Sequence, residues 1–247
     1  MQMLNSILDP YDRKARLSPA LLVLLVPAVV ATLLAPVFSS VLAGLASLVI
    51  ALGGLMLISA LGREWGKRKE QKLFELWGGV PTTLMLLRSS SDLNQLTLDR
   101  YRKFLEGKIS GLHFLDSENE ISDPVKAKMI CESAIKWLRE ATRDSQKFAL
   151  VFSENTNYGF RRNLLGVKPL ALVACALTIT ATALHAYLSS SGKLSAITIE
   201  SWGAALVGCI GFLMWWRVVN SDFVRTTAFA YATALLAACD SPQLKDT

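Results

Sequence analysis

The stretch LSPALLVLLVPAVVATLLAPVFSSVLAGLASLVIALGGLMLISALG, residues 17–62, contains no Asp, Glu, Lys, Arg or His in 46 positions. About 20 apolar residues are enough to span the hydrocarbon core of a bilayer. The stretch is therefore long enough for two transmembrane helices. A proline and two serines interrupt it near the middle. We expect a first span at 18–35, a turn at 36–40 and a second span at 41–61.

Two further apolar stretches follow a long polar region. We predict a third span over 169–192 and a fourth over 201–216, which lies between Glu200 and Arg217. The fourth covers only ~24 Å at ~1.5 Å per residue, so Arg217 must reach toward the headgroups or the helix must continue. The uncharged segment 226–239 is shorter than the ~17 residues that a span requires. We interpret it as a cytoplasmic helix; the alternative is a fifth span.

The distribution of Lys and Arg predicts the orientation. Three of these residues precede the first span, nineteen lie between Arg63 and Lys168, one follows the third span and three lie from Arg217 onward. With four spans, 25 of the 26 fall on one side of the membrane. Lys and Arg accumulate in cytoplasmic loops, so we place this side, with both termini, in the cytoplasm of a cell (inner) membrane protein.

The polar middle region carries the pattern of helices. A basic helix should continue the second span and end at Gly78-Gly79, and a short helix should follow Pro81. Further helices are expected over 97–109 and from Asp123-Pro124 onward, where an N-cap residue precedes a proline. A last segment, 148–166, leads to the third span, which begins at Lys168-Pro169.

These patterns predict an all-α, polytopic integral membrane protein. A cytoplasmic segment, 1–17, precedes a transmembrane helical hairpin, 18–62. A helical cytoplasmic domain, 63–168, separates the hairpin from spans three and four, 169–216. A cytoplasmic helix and tail, 217–247, follow.

Several protein classes find no support in the sequence. The four cysteines form no CxxC pair and no zinc-site spacing, so we expect neither a metal nor a disulfide. There is no HExxH, GxSxG or nucleotide-binding glycine pattern, so we expect no catalytic residues, no enzymatic activity and no cofactor. The net charge of +6 is typical of a cytoplasmic membrane face that meets anionic lipid, and we expect no nucleic-acid partner.

Small residues line one face of two spans. They are Ala43, Gly44, Ser47, Ala51 and Gly54 in the second span, and Ala204, Gly208 and Gly211 in the fourth. Small residues allow helices to pack closely in a membrane. The simple interpretation is packing within one chain; the functional one is a homo-oligomer whose subunits surround a pore.

Polar residues form a stripe on the third span. Thr178, Thr182 and His185 lie at helical spacing, and such a stripe can line a water-filled path. Alternatively, His185 is a hydrogen-bonded residue near the outer membrane interface. No acidic residue occurs within any predicted span, which argues against a proton-coupled transporter.

Two cytoplasmic segments are candidate ligand sites. Gly78 and Gly79 precede Thr82, Thr83 and Arg88, and the free N–H groups of a helix N-terminus can hold an anion. A helix-breaking turn with threonine caps is the alternative.

The second segment contains Arg161 and Arg162, just before the third span. We expect both to meet lipid phosphates. Alternatively, they bind an anionic ligand or pair with Glu154.

The layout of two spans, a helical cytoplasmic domain and two more spans resembles small bacterial membrane proteins that act as sensors or effectors in stress and antiphage systems. This resemblance implies an oligomer whose cytoplasmic domain senses a partner protein or an anionic ligand and whose spans then alter membrane permeability. Two alternatives remain. One is a non-conducting scaffold that recruits a cytosolic partner, and the other is a lipid-modifying membrane enzyme.

Overall fold

The computed structural model describes residues 9–34, 41–89, 93–193 and 197–245, with only the backbone described for 41–51 and 245. The protein is 82% helical, and the described residues include no strand. In chain order the helices are α1 (Pro10–Leu34), α2 (Val41–Leu76), α3 (Pro81–Leu84), α4 (Gln95–Lys108), α5 (Ser117–Ser122), α6 (Pro124–Ala141), α7 (Ala149–Ser189), α8 (Ile199–Arg217), α9 (Ser221–Ala237) and α10 (Pro242–Lys245).

Three of the described helices are long and apolar enough to cross a membrane. They are α1, α7 and α8, and they correspond to the first, third and fourth predicted spans. The second predicted span lies in the N-terminal part of α2, where the side chains of 41–51 are outside the described residues. The turn predicted at 36–40 is also outside them. The architecture is thus that of a helical protein with at least three potential membrane-spanning helices.

The chain divides into two compact units. The first comprises Met1–Glu70 and Gly159–Val224, and the second comprises Gln71–Tyr158 and Arg225–Thr247. The first unit therefore contains α1, α8 and most of α7. The second contains the short helices of the polar region together with most of α9.

Each unit has its own apolar core. In the first unit, Val23 and Val26 of α1 pack with Val167 and Cys175 of α7 and with Trp215 of α8. In the second unit, α4 and α6 supply a larger core that α9 completes; its most deeply buried leucines are Leu86, Leu98, Leu105, Leu138, Leu235 and Leu236.

The start of α6 and the end of α2 confirm two predictions from local sequence. The Asp123 carboxylate accepts a hydrogen bond from the Lys126 amide at 3.0 Å, with Pro124 in the first helical turn. The α2 helix ends at Leu76, and the Gly79 amide donates to the Phe74 carbonyl at 2.8 Å. Gly78 and Gly79 have φ values of 86° and 153°, which side chains disfavour, so glycine is required there.

The third span differs from the prediction. The sequence predicts a segment, 148–166, that leads to a span beginning at Lys168-Pro169, whereas α7 is one helix of 41 residues that passes through this proline. At ~1.5 Å per residue it is ~60 Å long, about twice the thickness of the bilayer core. A proline within a helix removes one hydrogen bond of the helical ladder, so the continuity of α7 needs a local explanation.

Candidate functional site

Helices α2 and α7 approach each other closely at three glycines, Gly62 and Gly66 of α2 and Gly166 of α7. A Cβ atom added to Gly166 would lie 2.6 Å from both the Gly62 oxygen and the Gly66 nitrogen. A Cβ added to Gly66 would lie 2.9 Å from the Asn163 side-chain oxygen. At Gly166, no side chain fits unless the backbone of α2 moves. We call this contact the glycine crossing.

The carbonyl of Leu165, beside the glycine crossing, explains how α7 continues through Pro169. In an α-helix this oxygen would accept from the amide of residue 169, but proline has no N–H. The Lys69 ammonium of α2 donates to it instead, at 2.6 Å. Burial lowers the pKa of Lys69, and the positive charge of Lys168 lowers it further.

The carbonyl of Ala15 in α1 repeats this arrangement. Its usual i+4 donor is absent because residue 19 is also a proline. The Asn163 amide of α7 donates to the Ala15 oxygen at 2.7 Å, and Asn163 is only 1% exposed. Residues Arg13–Leu17 form a π-helical turn at this point, a local irregularity that is common at functional sites.

An ion pair completes the contact between α2 and α7. Arg162 Nη1 lies 3.0 Å from Glu70 Oε1, and both side chains are largely buried. Farther along α7, a Cβ added to Gly159 would lie 2.8 Å from the Tyr11 hydroxyl of α1. We define the tether site as the glycine crossing together with Lys69, Glu70, Arg162, Asn163 and the two carbonyls left without a donor by proline.

The tether site contains only one residue that we singled out from sequence, Arg162. It pairs with Glu70 instead of Glu154, the partner considered as an alternative. Its neighbour Arg161 lies elsewhere: the guanidinium donates to the Phe223 carbonyl at 2.8 Å and stacks 4.2 Å from the Phe223 ring centre. The structure thus separates the two arginines. Glu154 contacts Asn157 within its own helix.

Other tether residues were missed although the sequence contains signals for them. Gly62 and Gly66 form a GxxxG spacing, which typically marks a close helix contact. In the predicted topology, Gly62 only marks the end of the transmembrane hairpin. Pro169 implied a carbonyl in need of a donor four residues earlier, but sequence does not identify Lys69 as that donor.

The proposed anion site at the end of α2 is arranged differently from the expectation. Thr82 and Thr83 are buried, and α3 is capped by Val80, which supplies no side-chain acceptor. The threonine-cap interpretation is therefore wrong. The Thr82 hydroxyl accepts from Arg139 at 3.4 Å. Arg88 pairs with Asp99 and also donates to Gln95.

The polar stripe of the third span divides between two environments. Thr182 is buried and Thr178 is partly buried, and each hydroxyl donates to a carbonyl four residues earlier in α7. His185 is exposed, so it does not share the buried environment of Thr182. Within one chain, these three side chains do not line a common path.

The small residues of the fourth span lie in helix contacts. A Cβ added to Gly208 would lie 2.8 Å from Ile179 of α7, and one added to Gly211 would lie 2.5 Å from Val26 of α1. By contrast, a Cβ added to Gly54 of α2 meets no described atom within 4 Å. The side chains of Ala43, Gly44, Ser47 and Ala51 are outside the described residues.

The second unit contains a buried ion pair that the sequence analysis did not identify. Arg102 and Glu120 are 3% and 5% exposed and form an ion pair. Arg102 also donates to the Leu86 carbonyl at 2.6 Å and to the Leu115 carbonyl at 3.1 Å. The second Glu120 oxygen accepts from the Arg88 amide at 3.0 Å. Because these groups satisfy one another, we interpret the pair as a structural clamp on the loops around α4.

No protein-family model, curated protein or solved structure matches this chain.

Proposed function

We propose that this protein is an oligomeric, multi-pass protein of the inner membrane whose second unit senses a signal and whose spans alter membrane permeability in response. The signal would be a cytosolic partner protein or a small anionic ligand. The proposed topology has four spans, α1, the first part of α2, α7 and α8, with both termini and the second unit in the cytoplasm.

The distribution of charge supports this topology. The segment 17–62 carries no charged side chain, and 25 of 26 Lys and Arg residues fall on the proposed cytoplasmic side. The exposed Trp202 at one end of α8 and Trp216 at the other lie where aromatic residues favour a membrane interface.

The tether site is the observation that carries the proposal. A permeability switch needs two discrete helix arrangements whose populations a signal can shift. In the tether site, two carbonyls that lack their usual helical donors are held by side chains from neighbouring helices. Prolines in membrane helices mark points of bending, so release of Lys69 or Asn163 would free α7 or α1 to bend.

Continuity of the helices supports a route for the signal. The boundary between the units falls within α2, between Glu70 and Gln71, and within α7, between Tyr158 and Gly159. Glu70 and Arg162 pair within four residues of these boundaries. We infer that a change in the second unit reaches the tether site along these two helices.

The open surface of α2 supports an oligomer. Of the described atoms, none lies within 4 Å of a Cβ added to Gly53 or Gly54. Glycines without a neighbour among the described residues leave room for the helix of a second copy.

A membrane-potential dye in cells tests the permeability function. The full chain is compared with Glu70→Gln and Arg162→Gln, each of which removes the charge of one member of the tether pair. We expect both variants to change the dye signal relative to the full chain. Arg68→Gln, which removes an exposed pair with Glu64 on the same helix, is the matched control and should behave as the full chain does.

Cells that keep their potential with the full chain and with every variant would contradict the permeability function. Equal expression of each variant in the membrane fraction is measured in parallel, so that loss of protein is not mistaken for loss of function.

A non-conducting scaffold is the second candidate, and one surface of the second unit favours it. Ile121, Val125 and Met129 follow one another at four-residue spacing on α5 and α6 and are 78%, 69% and 64% exposed. Exposed apolar surface of this kind often marks a protein contact. Val125→Glu should abolish capture of a cytosolic partner if recruitment is the function, whereas Ser133→Glu on the same helix should not.

A further inference from the structure

An apolar groove lies in the first unit beside the C-terminal end of α8. Its cavity is about 280 Å³ and is lined by side chains from α1, α7, α8 and the start of α9, which include Leu22, Val26, Leu164, Met214, Val218 and Phe223. Met214 and Val218 are exposed, so the groove opens at the surface of the unit. We call it the interfacial groove.

The surroundings of the interfacial groove favour a lipid chain as its occupant. Leu22, Leu164 and Met214 belong to the three helices that are long and apolar enough to cross a membrane. An apolar groove on such helices meets acyl chains, because these are the solvent there. The inference therefore rests on the membrane placement in the proposed function, but not on permeability.

Two cations lie against residues of this groove. The Arg161 guanidinium stacks on the Phe223 ring and donates to the Phe223 carbonyl at 2.8 Å. The Lys168 ammonium donates to the carbonyls of Trp216 and Val219, at 2.9 and 2.7 Å. Val219 also lines the groove.

The charge of Arg161 has no carboxylate partner among the ion pairs of the described residues. Arg162, one residue later, is by contrast paired with Glu70. Arginine has five N–H donors in a planar arrangement that suits a phosphate. In Arg161, the Nη1 nitrogen donates to the Phe223 carbonyl. A phosphate near the Phe223 ring would find donors there.

We propose that the interfacial groove binds an anionic phospholipid, with one acyl chain along Leu22, Met214 and Val218 and its phosphate against Arg161. The apolar lining selects a lipid over a free anion. The two cations that contact groove residues select an anionic headgroup over a zwitterionic one. Asp222, next to Phe223, is the acid that would oppose this charge.

Native mass spectrometry of the full chain in detergent tests the proposal, with phosphatidylglycerol and phosphatidylcholine of identical acyl chains as probes. We expect one phosphatidylglycerol to be retained, and phosphatidylcholine to be retained at least tenfold less. Arg161→Gln should lower phosphatidylglycerol retention roughly tenfold, since a charge-assisted contact to the phosphate is lost. Arg161→Lys should lower it less.

Matched controls distinguish binding in the groove from the effects of any surface cation or any exposed apolar side chain. Arg63→Gln removes an exposed cation at the same predicted membrane side, and Leu213→Phe enlarges an exposed residue of α8 outside the groove. Neither should change retention. Val218→Phe, which fills the groove, should lower it as Arg161→Gln does, and helical content by circular dichroism should stay unchanged in all variants.

Three outcomes would overturn the proposal. Equal retention of the two lipids would remove the headgroup preference while the membrane placement stood. An equal loss from Arg63→Gln would show nonspecific attraction. Displacement of the lipid by millimolar inorganic phosphate would show that the site holds a free anion.

Discussion

Lys69 of α2 donates a hydrogen bond to the carbonyl of Leu165 in α7, 96 residues later in the chain, at 2.6 Å. The acceptor is the oxygen whose helical donor Pro169 removes, so the lysine replaces a main-chain hydrogen bond. One side chain therefore both links two helices and keeps the longer of them continuous.

Replacement of Lys69 tests this double role. We expect Lys69→Met to lower the free energy of unfolding by ~1–3 kcal/mol, because a partly buried carbonyl loses its donor. In a Pro169→Ala background, residue 169 supplies the N–H, so the same change should cost much less. Thermal unfolding in detergent is measured for the unchanged chain, Lys69→Met, Pro169→Ala and the double variant. The four values give the coupling free energy between residues 69 and 169. An equal loss in both backgrounds would show that Lys69 does not serve the proline.

Substitution at the glycine crossing should destabilise the first unit. We expect Gly166→Ala to cost ~1–3 kcal/mol, because its methyl group would meet the backbone of Gly62 and Gly66. Gly53→Ala on α2 meets no described atom and is the matched control. It should be neutral or stabilising by up to ~1 kcal/mol, since alanine favours a helix. The idea fails if the two variants melt alike.

Removal of one partner of the buried pair in the second unit should have a larger effect. We expect Arg102→Met to lower the free energy of unfolding by ~3–5 kcal/mol, because it leaves the Glu120 carboxylate buried without a cation. A second change, Glu120→Gln, removes that charge but keeps an acceptor for the Arg88 amide, and should recover part of the loss. The control Arg143→Met breaks an exposed pair and should cost under ~1 kcal/mol. Denaturant unfolding measures the free energy of unfolding of each variant and tests these expected losses.

Alkaline pH should destabilise the second unit through two buried thiols. Burial raises the pKa of Cys131 and of Cys239 from 9.0 to about 12. Above pH 9 the unfolded chain releases these protons while the folded chain keeps them. The stabilising contribution is therefore complete below pH 9 and is lost as the pH rises toward 12, at up to ~1.4 kcal/mol per pH unit for each thiol.

Cysteine substitution checks the source of this pH dependence. Unfolding of Cys131→Ala, measured from pH 8 to 11, should show a shallower fall in stability than unfolding of the unchanged chain. Ser133→Ala, an exposed position on the same helix, should keep the original slope. Parallel curves for all three proteins would assign the alkaline loss to other groups.

Local signals in the sequence predicted the elements that depend on local physics. The Asp123 cap with Pro124 begins α6, and the glycine pair 78–79 follows the end of α2, because caps and positive φ angles are set by a few adjacent residues. Long apolar runs likewise identified α1, α7 and α8 as candidate spans.

Relationships between distant residues could not be read in the same way. The sequence offered Glu154 as a nearby partner for Arg162, but the structure pairs it with Glu70, 92 residues away. The stripe of Thr178, Thr182 and His185 looked uniform at helical spacing, yet a neighbouring helix buries only part of it. The partner of a charged residue and the burial of a helix face depend on which helices pack together. Composition and periodicity do not contain that information.

The hydrogen bond from Asn163 to the Ala15 carbonyl joins residues 148 positions apart, and this separation bears on how the protein is made. During translation, α1 is complete long before residue 163 has been added. The Ala15 carbonyl in the π-helical turn of α1 therefore has no Asn163 donor until translation has reached α7. The packing of α1 against α7 is complete only then, and a nascent chain that stops earlier leaves the Ala15 carbonyl without its side-chain donor.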